Sequence, residues 1–344
     1  MKMCTLTIDY PPAKGGVARY TEEVCRFFGD DMTVLTNEEH KFMTDGWPGW
    51  IGALQLLLDR EDDVLMVHHV LPLGIVAFLN WRRNKVPYVV FLHGMDFELA
   101  TRNSWKKFIT KIILKRAHTV VTNTKYLANE VKSFSKIEPV VVYPMPGIMA
   151  DGESGMGNGE SGVLSLISVG RLVERKGHQR VLQALAKMPH MHDRLHYKIY
   201  GGDGAYRSDL EELVSELDLG DVVEINVDAA DNEIKQSLSS ADLFVMPTIT
   251  TQGDREGFGI VYAEAATFGV PSIASRIPGV DEAVLDGETG LLVGSDDELA
   301  DAMMRLIQDH EFRGKLGAAA RARVESEFTH DAVFAELKAR MEQI

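Results

Sequence analysis

The sequence is poor in cysteine, with Cys4 and Cys25 as its two cysteines among 344 residues. Two cysteines cannot build a disulfide framework, and their separation does not match the spacing of a metal-binding motif. We therefore expect two buried free thiols in a protein from a reducing compartment.

Long apolar runs are also absent from the sequence. No stretch approaches the roughly eighteen apolar residues that a membrane-spanning helix needs. Residues 1–12 carry a single lysine and lack the apolar run of a secretory signal peptide. These absences predict a cytoplasmic protein whose contact with a membrane, if it has one, is peripheral.

The first glycine-rich loop, residues 9–16, lacks two common phosphate-binding signatures. It has no G-x-G-x-x-G fingerprint, and Lys14 precedes Gly15-Gly16 instead of following the glycines as in a P-loop. Gly15-Gly16 does come after a short apolar strand and opens a predicted helix near Val17. Such a loop can cradle a phosphate or a sugar at the helix N-terminus, and a simple tight turn explains it equally well.

Charge is unevenly distributed along the chain. The net charge is −15, but residues 80–136 hold twelve lysines and arginines against Asp96, Glu98 and Glu130. This basic segment is a candidate docking face for an anionic partner. We expect no nucleic-acid partner.

Within the basic segment, residues 104–116 predict an amphipathic helix. Its basic side chains are Lys106, Lys107, Lys111, Lys115 and Arg116, and its apolar ones are Trp105, Phe108, Ile109, Ile112 and Ile113. A basic amphipathic helix can lie on an anionic membrane. It can also pack its apolar stripe on a sheet and leave the basic face in water, and the two arrangements are compatible because they use different faces.

Predicted strands and helices alternate along the whole chain, and its length favours two α/β domains. A segment rich in Gly and Ser separates two runs of this alternation and is the clearest linker. We predict an N-terminal domain over 1–148, a linker over 149–162 and a C-terminal domain over 163–328. A final helix within 329–344 can pack back on the first domain.

His93 stands out among the histidines of the first domain. It follows the predicted apolar strand 88–92 directly and precedes Gly94 and Asp96. Functional groups of a parallel sheet gather at the carboxyl ends of the strands, so we expect His93 and Asp96 there. Other histidines, namely His68, His69 and His118, are expected to be structural and hydrogen-bonded.

The second domain has cations and glycines at the ends of its predicted strands. Gly170-Arg171 follows the strand 163–169, and Lys176-Gly177 precedes a helix that begins near His178. Two cations and a helix N-terminus can clamp a diphosphate. A further strand runs into Gly201-Gly202-Asp203-Gly204, where the backbone either approaches a ligand or simply bends.

The rest of the chain is organised around residues 241–275. A buried strand runs into a polar loop closed by Glu256-Gly257-Phe258-Gly259, and a helix carrying Glu264 follows. Both carboxylates can reach one extended, polyhydroxylated ligand, and the two glycines expose the backbone amide of Phe258. An isolated pair of this kind is more often a solvated loop and a helix surface, but the neighbouring motifs favour a binding site.

Taken in order, these motifs resemble those of the retaining glycosyltransferases of family 4, and the resemblance covers nearly the whole chain. The motifs are Gly15-Gly16, His93-Gly94, Gly170-Arg171 with Lys176-Gly177, Gly201-Gly202-Asp203-Gly204, and Glu256-Gly257-Phe258-Gly259 with Glu264. The resemblance implies the GT-B fold, which is α/β, with two Rossmann-like doubly wound parallel-sheet domains facing across a cleft.

The resemblance also implies an activity, which is transfer of a sugar from a UDP-sugar or GDP-mannose to an acceptor with retention at the anomeric carbon. No metal and no other cofactor is expected. In this scheme Arg171 and Lys176 hold the diphosphate, Glu256 and His93 contact the donor sugar, and Glu264 binds the ribose hydroxyls. The remaining expected donor-binding residues are Gly15, Gly16, Gly170, Gly202, Gly257, Phe258 and Gly259.

The acceptor is less well defined than the donor. The segment Tyr143–Gly147 departs from the Asn-Gly-Val-Asp turn that family members often have. The loop Thr250–Arg255 is specific to this sequence, and its Asp254 or Arg255 could select the donor. The basic segment favours a lipid-linked or polysaccharide acceptor at the inner membrane face, while a soluble acceptor stays open. Alternative functions are a nucleotide-sugar epimerase of the same fold and a non-catalytic scaffold.

Overall fold

The computed structural model describes residues 1–13, 15–37, 48–57, 60–151, 162–250 and 256–344. These residues divide into two units. Met1–Met145 and His330–Ile344 form the first unit, and Pro146–Thr329 form the second. Each unit has one six-stranded parallel sheet, which confirms the prediction of two doubly wound α/β domains.

The sheet of the first unit has the strand order β2-β1-β3-β4-β5-β6. Its strands are β1 (Met3–Thr7), β2 (Met32–Thr36), β3 (Val64–His68), β4 (Tyr88–Leu92), β5 (Thr119–Thr122) and β6 (Val140–Val141). Its helices are α1 (Gly16–Phe28), α2 (Ile51–Leu56), α3 (Leu73–Asn84), α4 (Met95–Ala100), α5 (Ser104–Arg116), α6 (Lys125–Ser135) and the C-terminal α14 (His330–Met341).

The sheet of the second unit has the order β12-β11-β10-β7-β8-β9. Its strands are β7 (Leu164–Val169), β8 (Leu195–Gly201), β9 (Val223–Val227), β10 (Leu243–Met246), β11 (Ser272–Ser275) and β12 (Gly290–Val293). Its helices are α7 (His178–Ala186), α8 (Tyr206–Glu216), α9 (Asp231–Ser239), α10 (Ile260–Thr267), α11 (Val280–Ala283), α12 (Asp296–Gln308) and α13 (His310–Glu327).

The apolar strand sequences explain why both faces of each sheet are covered. In β4 the alternate residues Tyr88, Val90 and Leu92 belong to one core cluster, and Val89 and Phe91 belong to the cluster on the other face. Parallel strands buried on both faces are near-continuous hydrophobic runs, as β3 and β4 are here. The strand sequences therefore require helices on both sides.

The strand orders locate the ligand-binding edge of each sheet. In the first sheet the chain goes from β1 to β2 on one side and from β3 to β4 on the other, so the strand order reverses between β1 and β3. In the second sheet the order reverses in the same way between β7 and β10. Open α/β sheets bind ligands beyond the carboxyl ends of the strands at such switch points. The loops that follow these four strands are therefore the first place to look for a site.

The C-terminal helix α14 completes the core of the first unit. Val333, Phe334, Leu337 and Met341 are buried in the same cluster as Tyr20 of α1. The ring of Phe334 stacks on that of Phe27, with centroids 4.4 Å apart. Most of the predicted linker, residues 152–161, lies outside the described residues, so the predicted domain boundaries stay a prediction.

Helix α5 divides its apolar residues between a buried and an exposed side. Thr110, Ile113 and Leu114 are buried, whereas Trp105 and Phe108 are 65% and 67% exposed. The predicted apolar stripe is therefore split between the inside and the outside. The buried side is held by Ile113 and Leu114 in the core of the first unit, and the Thr110 hydroxyl on that side donates to the Ala100 carbonyl at 3.0 Å.

We expect Phe334→Ala to lower the stability of the first unit by about 3–5 kcal/mol, because it removes a buried aromatic side chain. The described tryptophans Trp50, Trp81 and Trp105 lie in the first unit, and the sequence has no tryptophan after position 105, so urea unfolding followed by tryptophan fluorescence reports this unit selectively. The exposed Lys338→Ala on the same helix is the matched control. Equal unfolding midpoints for the two variants would contradict the packing role of α14.

Candidate functional site

The loop after β7 is tied closely to the end of β10 in the second unit. A short 3-10 turn, Glu174–Lys176, precedes Gly177, which has φ 75°. A Cβ atom on Gly177 would lie 2.1 Å from the Pro247 carbonyl oxygen, so a side chain there would separate the two loops. The Ile249 amide donates to the Arg175 carbonyl at 2.8 Å and closes the same contact.

This contact brings two cations to one carboxylate. The Glu256 carboxylate oxygen Oε2 lies 2.7 Å from Lys176 Nζ and 2.7 Å from Arg175 Nη1. The side chains of Arg175, Lys176 and Glu256 are only 8%, 11% and 13% exposed. Burial alone would raise the pKa of Glu256, but the charges of Lys176 and Arg175 outweigh it and hold the pKa at about 2.

Arg175 is a site residue that the sequence analysis missed. The sequence pointed to Arg171 and Lys176, yet Arg171 is exposed and Arg175 shares the carboxylate with Lys176. The available signal was the adjacent Arg175-Lys176 pair before Gly177. Spacing alone does not tell a buried arginine from an exposed one, because the difference depends on how the turn contacts Pro247.

The loop between Glu256 and α10 is held by aromatic packing. Gly259 has φ 78°, and a Cβ there would lie 2.4 Å from the Tyr262 ring. The Tyr262 hydroxyl donates to the Met246 carbonyl at the end of β10, at 2.7 Å. Phe258 is buried against Phe328, with centroids 5.6 Å apart. These contacts fix the position of Glu256 relative to β10.

Glu264 lies in the middle of α10 and is 1% exposed. Its Oε1 accepts hydrogen bonds from the backbone amides of Gly147 and Ile148, both at 3.2 Å. The prediction that Glu264 binds ribose hydroxyls stays a prediction, and the contact with residues 147–148 was not anticipated.

The other glycines of the second unit lie near the same strand ends. The amide of Gly170 donates to the Tyr200 carbonyl at 2.9 Å, and a Cβ on Gly170 would lie 3.3 Å from Lys176 Cε. Gly170 therefore leaves room for the stem of Lys176. Gly202 follows β8, and Gly257 is half-buried next to Glu256. The predicted donor-selecting residues Asp254 and Arg255 fall outside the described residues.

In the first unit, a loop connects β1 to α1, and α1 begins at Gly16. A Cβ atom on Gly15 or Gly16 would meet no atom of the described residues within 4 Å, so the backbone at this helix N-terminus is open. Lys14 lies outside the described part of the chain.

His93 belongs to a cluster of three histidines at the ends of β3 and β4. The ring of His93 stacks on that of His68, with centroids 5.5 Å apart, and its Nε2 lies 3.4 Å from His68 Nδ1. Burial lowers the pKa of His68 to about 3 and the pKa of His93 well below its ordinary value, with a further lowering by the nearby His69. Both rings are therefore neutral at physiological pH.

The hydrogen bonds around His68 determine which of its own ring nitrogens carries the proton. The Thr21 hydroxyl donates to the Val17 carbonyl at 2.9 Å, so its oxygen accepts from His68 Nδ1 at 3.2 Å. The neutral His68 ring therefore carries its proton on Nδ1. Among the described residues His68 Nε2 has no partner.

His69 and Asp96 complete this cluster. His69 Nδ1 lies 2.6 Å from the His68 carbonyl oxygen and its Nε2 lies 3.3 Å from Asp9 Oδ2, so both ring nitrogens face acceptors. His69 also has φ 86°, a strained conformation for a histidine. Asp96 accepts the His93 amide at 2.8 Å, and burial raises its pKa.

The described residues contain neither a cluster of metal-binding side chains nor a membrane-spanning helix. No group of three or more His, Cys, Asp or Glu side chains in that part of the chain could hold a metal ion. No helix there is both long enough and apolar enough to cross a membrane.

Comparison with known families matches both halves of the chain. Residues 14–145 match the family described as Glycosyltransferase Family 4, and residues 159–323 match Glycosyl transferases group 1. The chain is similar to the GDP-mannose-dependent alpha-(1-6)-phosphatidylinositol monomannoside mannosyltransferase of Mycolicibacterium smegmatis, with 35% identity over 93% of this chain and 92% of that protein.

Other curated relatives match over a shorter length. The chain spans about half the length of several of them, for example 46% of the Mycobacterium tuberculosis protein of the same name, at 34% identity. The match to the N-acetyl-alpha-D-glucosaminyl L-malate synthase of Bacillus anthracis covers 80% of this chain and 74% of that protein, at 28% identity.

Solved structures share the fold over the whole chain. Sucrose-phosphate synthase from Thermosynechococcus elongatus has a TM-score of 0.78 at 19% identity and covers 100% of this chain and 99% of its own. Anabaena HepE, solved with UDP, has a TM-score of 0.79 at 17% identity and covers 100% of both chains. At these identities the likeness extends to the fold alone.

We expect Glu256→Gln to destabilise the second unit by about 3–5 kcal/mol at neutral pH, because it leaves two buried cations without their carboxylate. The folded-state pKa of about 2 lies below the ordinary 4.5, so this contribution is complete above pH 4.5 and is lost as the pH falls toward 2. Urea unfolding followed by circular dichroism, with the first unit identified by tryptophan fluorescence, measures it. The exposed Glu288→Gln is the control, and a loss that does not shrink in acid would contradict the pairing.

We expect His68 and His93 to be neutral at neutral pH, because burial lowers both pKa values, and His68 to be protonated on Nδ1, because Nδ1 donates to Thr21. Nitrogen-15 NMR of histidine-labelled protein distinguishes cationic rings and the two neutral tautomers, and His68→Phe and His93→Gln assign the signals. A cationic ring at either position, or a His68 protonated on Nε2, would contradict this arrangement.

Proposed function

Because this chain belongs to the group 1 glycosyltransferases of family 4, we propose that it transfers a sugar from a nucleotide-diphosphate sugar to an acceptor. The observation that carries this proposal is the buried group of Lys176, Arg175 and Glu256 at the switch point between β7 and β10. Two cations at this edge suit a diphosphate, and a carboxylate beside them suits sugar hydroxyls.

We propose GDP-mannose as the donor. The relative from Mycolicibacterium smegmatis that matches 93% of this chain is named as GDP-mannose-dependent. A UDP-sugar is the second candidate, since a structural neighbour was solved with UDP.

On donor binding, the diphosphate would take the place of Glu256 as the partner of Lys176 and Arg175. The carboxylate of Glu256 would then be released to accept hydrogen bonds from the donor sugar. As the bond to the leaving diphosphate breaks, negative charge grows on its oxygens, and the two cations stabilise that charge in a site with little water. Arg171, exposed at the same strand end, supplies a third cation. No metal is needed in this scheme.

We propose that the reaction proceeds with retention on one face of the sugar. The bond between the anomeric carbon and the phosphate oxygen breaks, and a bond to the acceptor oxygen forms on the same face. The acceptor hydroxyl gives its proton to the departing phosphate oxygen. The name of the mycobacterial relative states an alpha linkage, and GDP-mannose is itself alpha-linked, which supports retention.

The remaining roles follow from the chemistry of each position. His93, as a neutral ring with one N–H, would donate to a hydroxyl of the donor sugar. Glu264 would exchange its bonds to the amides of Gly147 and Ile148 for ribose hydroxyls. The open backbone at Gly15 and Gly16 would admit phosphate oxygens to the N-terminus of α1.

For the acceptor we propose a lipid-linked sugar at the inner face of the membrane. The mycobacterial relatives are named for a phosphatidylinositol monomannoside acceptor, and the basic segment 80–136 suits an anionic lipid. A polysaccharide intermediate carried on an anionic lipid would likewise present a sugar acceptor beside a negatively charged headgroup at the membrane surface.

With GDP-mannose and detergent-dispersed phosphatidylinositol monomannoside, we expect one GDP per mannose transferred, an alpha-linked product by NMR, and no loss of rate with EDTA. Lys176→Met should lower kcat about 10²–10³-fold, because it removes a cation that stabilises the leaving group. The exposed Lys187→Met in the same unit is the control.

Two outcomes would overturn the proposal. Release of GDP at the full rate without acceptor would favour a nucleotide-sugar hydrolase or epimerase. If no nucleotide is turned over and neither GDP nor UDP raises the melting temperature, the scaffold alternative would replace it.

A further inference from the structure

The consecutive helices α4 and α5 both expose large apolar side chains, and α5 exposes lysines as well. Trp105 and Phe108 of α5 are 65% and 67% exposed, more than any other large hydrophobic residue that the structure describes. Met95 and Leu99 of α4 are 42% and 47% exposed. We call these four residues, together with Lys107, Lys111 and Lys115, the α4–α5 surface.

The aromatic residues of this surface are held outward by the fold. Helix α5 is capped by the Asn103 side chain, which accepts from the Lys106 amide at 2.9 Å. Its inner face is set by Ile113 and Leu114, which are fully buried, and by Thr110, which bonds to the end of α4. Trp105 and Phe108 lie on the opposite side of a regular helix and cannot turn inward without unpacking it.

On the exposed side of α5 a row of lysines runs beside the aromatic residues. Lys107, Lys111 and Lys115 are spaced four residues apart and so lie in one row along the helix, and Phe108 lies between this row and Trp105. Lys107, Lys111 and Lys115 are all exposed. The surface is therefore cationic and apolar at once, in a chain whose net charge is −15.

We propose that the α4–α5 surface docks the protein on an anionic phospholipid bilayer. Tryptophan favours the interface between headgroups and acyl chains, and lysine stems can lie along apolar surface while the ammonium groups reach lipid phosphates. A protein partner fits less well, because the cores of protein interfaces are depleted in lysine. Nucleic acid fits less well too, because Met95 and Leu99 have no phosphate or base edge to meet there.

This surface is adjacent in sequence to the histidine cluster. Met95, the first residue of α4, is separated from His93 by Gly94 alone. Docking would thus hold the His93 end of the first unit close to the lipid headgroups. This consequence rests on the proposed function, because it places a lipid-linked acceptor beside the residue proposed to contact the donor sugar. The docking itself does not depend on it.

The test is co-sedimentation of the full chain with vesicles, without nucleotide or acceptor. We expect binding to vesicles of phosphatidylcholine with phosphatidylglycerol at low salt, weaker binding at high salt, and little binding to pure phosphatidylcholine. Lys107→Glu/Lys111→Glu should weaken binding at least about fivefold for each lysine replaced. Trp105→Ser/Phe108→Ser should abolish the binding that survives at high salt.

Two matched control variants make the same kinds of substitution outside the α4–α5 surface. Ile51→Ser/Leu56→Ser removes two other exposed apolar residues of the first unit, and Lys187→Glu/Lys338→Glu makes the same charge change away from the surface. Both controls should bind vesicles as the unaltered chain does, and all variants should keep its melting temperature.

The proposal fails if the unaltered chain does not bind anionic vesicles, or if the surface variants bind as tightly as the controls. It also fails if binding is equal for anionic and neutral lipid. Because the assay contains neither donor nor acceptor, these results are independent of the transferase assay. A chain that transfers mannose to a detergent-dispersed acceptor but ignores vesicles would keep the proposed function and lose the docking surface.

Discussion

The second unit depends on the ion group formed by Glu256, Lys176 and Arg175. Three charges removed from water are costly unless each has a partner at hydrogen-bonding distance, and here both cations lie 2.7 Å from one carboxylate oxygen. That geometry requires the loops after β7 and β10 to touch, which they do where Gly177 meets Pro247. The same constraint makes the group suitable for a diphosphate, because a net positive charge is already held rigidly at the strand ends.

In the first unit, the side chains at the ends of β3 and β4 include neutral histidines instead of a paired ion group. His68 is buried and His93 lies against it, and burial keeps both rings neutral, with His68 Nδ1 within hydrogen-bonding distance of Thr21 and His93. His69 Nε2 lies 3.3 Å from Asp9 Oδ2. The described strand ends of the second unit thus carry a paired ion group, and those of the first unit carry neutral imidazole rings.

Much of this arrangement could be predicted from the sequence, and the exceptions have a common cause. The apolar runs of β3, β4 and β10 predict parallel strands buried on both faces, and the motifs after them predict where polar groups gather. For α5 the sequence left open which apolar residues pack on the sheet, and the structure buries Ile113 while it exposes Trp105 and Phe108. Periodicity identifies which residues are apolar, but the contacts with the core decide which of them are covered.

The sequence by itself determined the alternation of strands and helices, the two-domain α/β class, the uneven charge and the identity of His93, Lys176 and Glu256 as residues at strand ends. Tertiary structure alone decided that Arg175 rather than Arg171 pairs with Glu256, and that Glu264 bonds to residues 147–148. These partners are separated by 81 and 117 residues in the chain. Local sequence patterns indicate contacts between residues within a few helical turns. Pairs that are distant in the chain, such as Arg175 with Glu256, depend on which loops the folded sheet brings into contact.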